Sequence, residues 1–133
     1  MKSWFALLPA AATLGAVSLT ALPSVAAPPA PQAANQGAQA FGTCRACHTL
    51  QAGARSPLGP NLHGLFGRKA GSVAGFNYTP ALKASKIVWN DKTLDQFLAA
   101  PTQVVPGTRM VMKVADPARR KALIAYLKAE TAK

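Results

Sequence analysis

Apolar residues fall at helical spacing in three places along the chain, and strand-like alternation is weak throughout. In the first place Phe41 lines up with Ala38 and Ala34, giving one apolar face to a short helix that opens near Gly37. In the second, Leu94, Phe97 and Leu98 repeat at i, i+3 and i+4. They follow Asn90-Asp91, either of which can cap a helix, and precede Pro101, which ends it. In the third, Leu123, Ile124, Tyr126 and Leu127 follow Asp116-Pro117, an N-cap residue and a proline at the first helical position. Thr79-Pro80 gives the same start signal for a fourth, shorter helix. The pattern predicts an all-α domain of about four short helices and no sheet.

Between these helices the chain is heavily punctuated. Gly53, Pro57, Gly59-Pro60, Gly64, Gly67, Gly71 and Gly75 interrupt any periodicity. A loop this long is unusual in a compact domain unless it wraps something. At the other end, Met1-Lys2-Ser3 leads into an apolar run from Trp4 to Leu22 and then Ser24-Val25-Ala26-Ala27. Residues 1–26 read as a secretory signal peptide. The run is also long enough to span a bilayer as a retained anchor. Pro9, the alanine-rich composition and the small residues at its end favour cleavage. Residues 27–35 read as a flexible Pro/Ala linker carrying no fold, which leaves 36–133 as the folded domain. A domain of that size is near the lower end of what one apolar core supports, and a buried cofactor would complete it.

The candidate chemistry is Cys44-Arg45-Ala46-Cys47-His48. C-x-x-C-H is an attachment signature for c-type haem. Two thiols one helical turn apart can reach the two vinyl groups on one porphyrin edge, and the following histidine can offer a nitrogen to the iron. Other uses of such a pair fit poorly. Structural zinc wants four ligands, and the chain has only Cys44, Cys47, His48 and the distant His63. A thioredoxin-like pair belongs in a βαβ setting, and a plain disulfide leaves His48 unexplained. His63, in the turn cluster Gly59–Gly64, reads as a structural hydrogen-bonding residue. For the sixth position on the iron, Met110 on the Pro106-Gly107 loop is the natural candidate, with Met112 as its rival. Methionine in a core is more often a gap-filler than a ligand.

Charge adds a partner class. Fifteen Lys and Arg against four Asp and Glu give a formal +11. Nucleic acid is not expected for an exported protein whose basic residues are scattered and not interleaved with exposed aromatics. Acidic docking faces of redox proteins (an oxidase, reductase or dehydrogenase) are expected, with a generic solubilising surface as the alternative. Contact with a membrane is expected only through such partners unless the leader is retained, and the protein is expected to be a monomer.

Taken in order, Gly37, Phe41, Cys44-x-x-Cys47-His48, Gly59-Pro60-Asn61-Leu62-His63-Gly64-Leu65-Phe66-Gly67-Arg68, Gly75-Phe76-x-Tyr78-Thr79, Trp89, Pro106-Gly107-Thr108-x-Met110 and Leu123–Leu127 resemble the class I cytochromes c, the family of mitochondrial cytochrome c and bacterial cytochrome c2. The resemblance implies long loops wrapped around one covalent haem c, held through two thioethers to Cys44 and Cys47, with His48 and Met110 on the iron. It implies that the Pro60 carbonyl meets the other nitrogen of His48, and that Arg68, Tyr78, Thr79 and Trp89 neutralise or hydrogen-bond the propionates. Thr108 joins the same cofactor-binding set, and Gly37 and Phe41 would pack the first helix on Tyr126 and Leu127.

The chain also departs from the family. Phe97 stands where relatives aim a tyrosine hydroxyl at the methionine sulfur, and Leu82 where they often carry asparagine. Met112 replaces an aromatic, Thr43 and Thr102 replace lysines, and the connection from Met110 to the last helix is about a residue short. The expectation is a periplasmic single-electron carrier and not an enzyme. A peroxide-reducing haem would need a distal acid–base residue, and nothing in the sequence supplies one. A subunit dedicated to one dehydrogenase is the other alternative, which the scattered charges oppose.

Overall fold

The structure is a computed structural model that describes residues 30–56 and 58–132. The expected leader, 1–26, lies outside the described residues. The described residues form five α-helices and one 3-10 turn: α1 (Ala30–Phe41), the turn Cys44–Ala46, α2 (Pro80–Ala84), α3 (Asp91–Ala99), α4 (Pro101–Val104) and α5 (Pro117–Thr131). Among them there is no strand, only an isolated antiparallel bridge between Lys69 and Val88. The all-α expectation holds.

Three helix starts lie where the sequence signals them. Thr79 Oγ1 accepts from Leu82 N at the head of α2, and Asp116 Oδ1 from Arg119 N at the head of α5. For α3 the cap is Asn90: its side chain accepts from Thr93 N, and Thr93 Oγ1 accepts from Asn90 N. Pro101 ends α3 but also opens the single turn of α4, so the loop that follows begins at Val105. Proline fits there because the first N–H of a helix has no intrahelical partner to lose.

The first helix departs further from expectation. It begins at Ala30, so residues 30–35 of the expected linker are helical. Alanine is the strongest helix former, and Pro31 falls in the first turn, where its missing N–H is harmless. Its buried face is Gly37, Ala40 and Phe41, whereas Ala34 is exposed and Ala38 only half-buried. The crossing with α5 sets that face. A Cβ on Gly37 would lie 2.4 Å from Tyr126 Cβ and 2.5 Å from the Ala122 carbonyl oxygen, so only glycine permits the approach. The Phe41 and Tyr126 rings meet beside it at 5.8 Å. Leu94, Phe97 and Leu98 of α3 and Leu123, Ile124 and Leu127 of α5 complete the core with Trp89 and Leu65.

The rest of the chain is loop, fastened by side chains. Asn61 Nδ2 donates to the carbonyls of Gln51 and Ala54, and Asn61 Oδ1 accepts from His63 N. Arg68 donates to the carbonyls of His63 and Asn61. Gly64 N reaches Thr131 O, tying this loop to the end of α5.

Candidate haem site

The helices and loops enclose one large, mainly apolar cavity of about 360 Å³, within the range of cofactor pockets. Cys44, Cys47 and His48 all line it. A single turn brings them there: Cys47 N and His48 N both donate to the Cys44 carbonyl, at 3.0 and 2.9 Å. Burial pushes the Cys44 thiol above its ordinary pKa, so it stands as a neutral thiol at neutral pH.

His48 is fixed from two sides. Its Nδ1 lies 2.7 Å from the Pro60 carbonyl oxygen, which can only accept, so Nδ1 carries the proton. That leaves Nε2 with its lone pair, the form a metal requires. Burial lowers the pKa of His48, with the Pro60 bond opposing in part, so the ring stays neutral. On the other side Gly59 lies against the ring. A Cβ there would come within 2.4 Å of Cε1, 2.7 Å of Nδ1 and 2.9 Å of Nε2. Gly59 N also donates to the Cys47 carbonyl, locking the turn to the loop.

The remaining sequence candidates gather around the same cavity. Pro60, Arg68, Tyr78, Thr79, Trp89, Thr108 and Met110 all line it. Arg68 keeps donors beyond the two it gives to loop carbonyls. Burial raises the Tyr78 pKa, which keeps its hydroxyl a neutral donor. Thr108 is buried, and its Oγ1 accepts from Met110 N at 3.3 Å. Met112 is 51% exposed and is not among the lining residues. His63 does not line the cavity either; its backbone serves the loop network. An apolar chamber with two thiols, one neutral imidazole, a thioether and several polar donors fits a haem with its two carboxylates.

No family model matches the chain. Individual relatives do. A cytochrome c of Arabidopsis thaliana is 49% identical over 100 residues, covering 74% of this chain and 89% of the relative. A cytochrome c of Cochliobolus lunatus is 49% identical over 100 residues, covering 74% and 93%. A cytochrome c2 iso-2 of Magnetospirillum fulvum is 46% identical over 90 residues, covering 67% and 93%. The chain belongs to the class I c-type cytochromes.

As a class I cytochrome it is an electron carrier and not an enzyme, and its cofactor is one covalent haem c with its iron. Two features of the site escape the sequence reading. Gly59 reads as turn punctuation, yet it is the surface on which the His48 ring rests. Arg120 reads as one more scattered charge, yet it is only 9% exposed and bonded to Asp95 at 2.7 Å. Its position one residue past Arg119 and three before Leu123, on the buried stripe of α5, is the signal that could have marked it.

Proposed function

We propose that this cytochrome holds its iron between His48 and Met110 and carries single electrons, outside the cytoplasm, between redox proteins with acidic docking faces. The observation that carries the ligation is the convergence on one cavity of both cysteines, a histidine committed through Nδ1 to Pro60, and Met110, with Met112 turned to solvent. The haem supplies the one-electron couple. The chain's residues do the rest. His48 and Met110 would fill the coordination sphere, and Phe97, Leu98, Leu82 and Leu94 would give it apolar surroundings. A filled sphere in a rigid apolar pocket changes little between oxidation states, so little reorganisation opposes transfer.

The visible spectrum of the exported, haem-loaded protein tests the ligation. The weak methionine-to-iron charge-transfer band of the ferric form is expected in wild type and Met112→Ala, and absent in Met110→Ala. A high-spin or carbon-monoxide-binding native iron would sink the proposal. Export rests on residues 1–27, since the relatives come from plants, fungi and a bacterium. The intact mass of the same preparation tests it: loss of residues 1–26 or so is expected, and a full-length chain would contradict cleavage.

The partner reading rests on the basic excess, +10 once Lys2 leaves with the leader (14 − 4), and on exposed Arg109 and Lys113 flanking Met110. Such charge steers brief encounters of a monomeric carrier with acidic surfaces. Transfer rates to an oxidase or reductase are expected to fall as salt rises from about 10 to 200 mM. Rates that ignore ionic strength would remove the steering.

A further inference from the structure

We infer that Arg120, together with Asp95, is a positioning residue for Met110: a buried guanidinium that clamps the chain returning from the ligand to α5. The inference rests on the His48/Met110 reading above.

Met110 is followed by five residues, Val111–Ala115, that belong to no helix before the cap at Asp116. Val111 is 73% and Met112 51% exposed, and Lys113 is exposed, so packing does not hold the first three. Before Met110 the chain is secured by Thr108, which bonds Val105 and Met110, and by Arg109, which donates to the Asn77 carbonyl. After it the first fixed point is Val114, which packs on the core and whose N–H donates to the Leu98 carbonyl at 2.8 Å.

Arg120 completes that fixed point. One terminal nitrogen donates to the carbonyls of both Val114 (2.9 Å) and Ala115 (2.8 Å). Its Nε donates to Asp95 Oδ1 at 2.7 Å. Thus one side chain of α5 joins the returning segment to α3, the helix that also sends Leu94, Phe97 and Leu98 into the cavity wall.

A guanidinium whose side chain is 11% exposed is tolerated only when its donors are matched, and here its acceptors sit four and five residues beyond the proposed ligand. Removing it leaves two carbonyls without their charged donor and loosens a segment then fastened at Val114 alone. The Met110 sulfur would then leave the iron more easily, while His48, held by Pro60 and Gly59, would stay.

The test is imidazole titration of the ferric, haem-loaded protein, in which added imidazole competes with Met110 and loss of the charge-transfer band reads the displacement. Hydrogen bonds to charged groups make a shift of about tenfold reasonable for Arg120→Lys and Arg120→Gln, toward tighter imidazole binding. Asp95→Ala, which leaves both carbonyl bonds in place, is expected to give about threefold in the same direction. Ile124→Val trims a core residue of α5 that does not line the cavity and leaves the Arg120 bonds in place, and serves as the stability control; it should lower stability and move imidazole affinity less than twofold.

Unchanged affinity in Arg120→Lys and Asp95→Ala would overturn the inference. So would an equal shift in Ile124→Val, since general loosening would then explain everything. A wild-type spectrum without the band, or a band that survives Met110→Ala, would instead remove the ligation reading and the inference with it.

Discussion

The α1–α5 pair and the loop between His48 and Thr79 flank the same cavity but are held together by opposite means. The helix pair is joined by apolar contact at close range: Gly37 against Tyr126 and Ala122, with Phe41 and Leu123 almost fully buried. The loop buries little of its own beyond Leu65, Ala70 and Tyr78. Its shape comes from polar side chains that answer backbone groups: Asn61 on three of them, Arg68 on two, Ser56 on Thr49 N, and His48 on Pro60. Helical backbone satisfies itself, so α1 and α5 need only cover their apolar faces. Loop backbone does not, so each unpaired group calls for a side chain. The difference teaches that the helices can be stabilised by the protein's own core, whereas the loop is a frame whose apolar inner surface the haem would cover in the proposed site.

Two glycine substitutions of similar steric severity should separate the halves, and they carry the largest expected effects. Gly37→Ala drives a methyl into Tyr126 Cβ and the Ala122 backbone, and should cost roughly 2–3 kcal/mol of stability at the upper end of overpacking. The haem spectrum should survive. Gly59→Ala drives a methyl into the His48 ring, which cannot retreat without losing Pro60. It should cost at least about 3 kcal/mol and also disturb His48 ligation, seen as lower haem incorporation and a changed ferric spectrum. Denaturant unfolding and the visible spectrum read both variants. A Gly59→Ala protein with native spectrum and stability would show that the ring does not rest there.

Polar contacts should rank by the same logic. Asn61→Ala removes bonds to Gln51 O, Ala54 O and His63 N at once, for an expected loss of about 2–3 kcal/mol. On the helix side, Lys128→Ala breaks an ion pair with Asp91 whose side chains are 59% and 60% exposed. That should cost less than about 1 kcal/mol. Unfolding midpoints in parallel titrations would expose an error if the two losses were equal.

What the sequence makes legible follows the same division. The caps at Thr79 and Asp116, the buried stripe of α3 and the run Cys44–His48 are local patterns, each set by residues within about one helical turn. The start of α1 is not legible because a proline-rich stretch reads as extended until Pro31 is placed in a first turn. The same helix's buried face is not legible because α5, distant in sequence, chooses it through Gly37. Gly59 under His48 is a contact across the fold that no spacing rule announces, and the stripe of α5 that marks Arg120 as buried does not announce its bond to Asp95 on α3. Arg109 shows the same limit: it reads as a surface charge, yet it donates to the Asn77 carbonyl far upstream.

The smallest expected effect tests whether the helices speak to Met110, the proposed ligand, on the segment between α4 and α5. Phe97, on α3, is 4% exposed, lines the cavity and meets the Trp89 ring edge-on at 5.1 Å. Phe97→Tyr adds one hydroxyl at a buried position, so the hydroxyl must find an acceptor among the cavity residues. The Met110 sulfur is the acceptor that matters. A hydrogen bond there would draw electron density from the thioether and weaken its donation, at greater cost to ferric than to ferrous iron, and the reduction potential would rise. Only the part of such a bond's net worth that differs between the two oxidation states moves the potential, so the preference for the reduced state should be about 0.5 kcal/mol or less. An equilibrium redox titration of the two proteins side by side reads it. A potential that stays level or falls would mean that α3 contributes shape alone to the site, and that the electronic character of the methionine is set within its own loop.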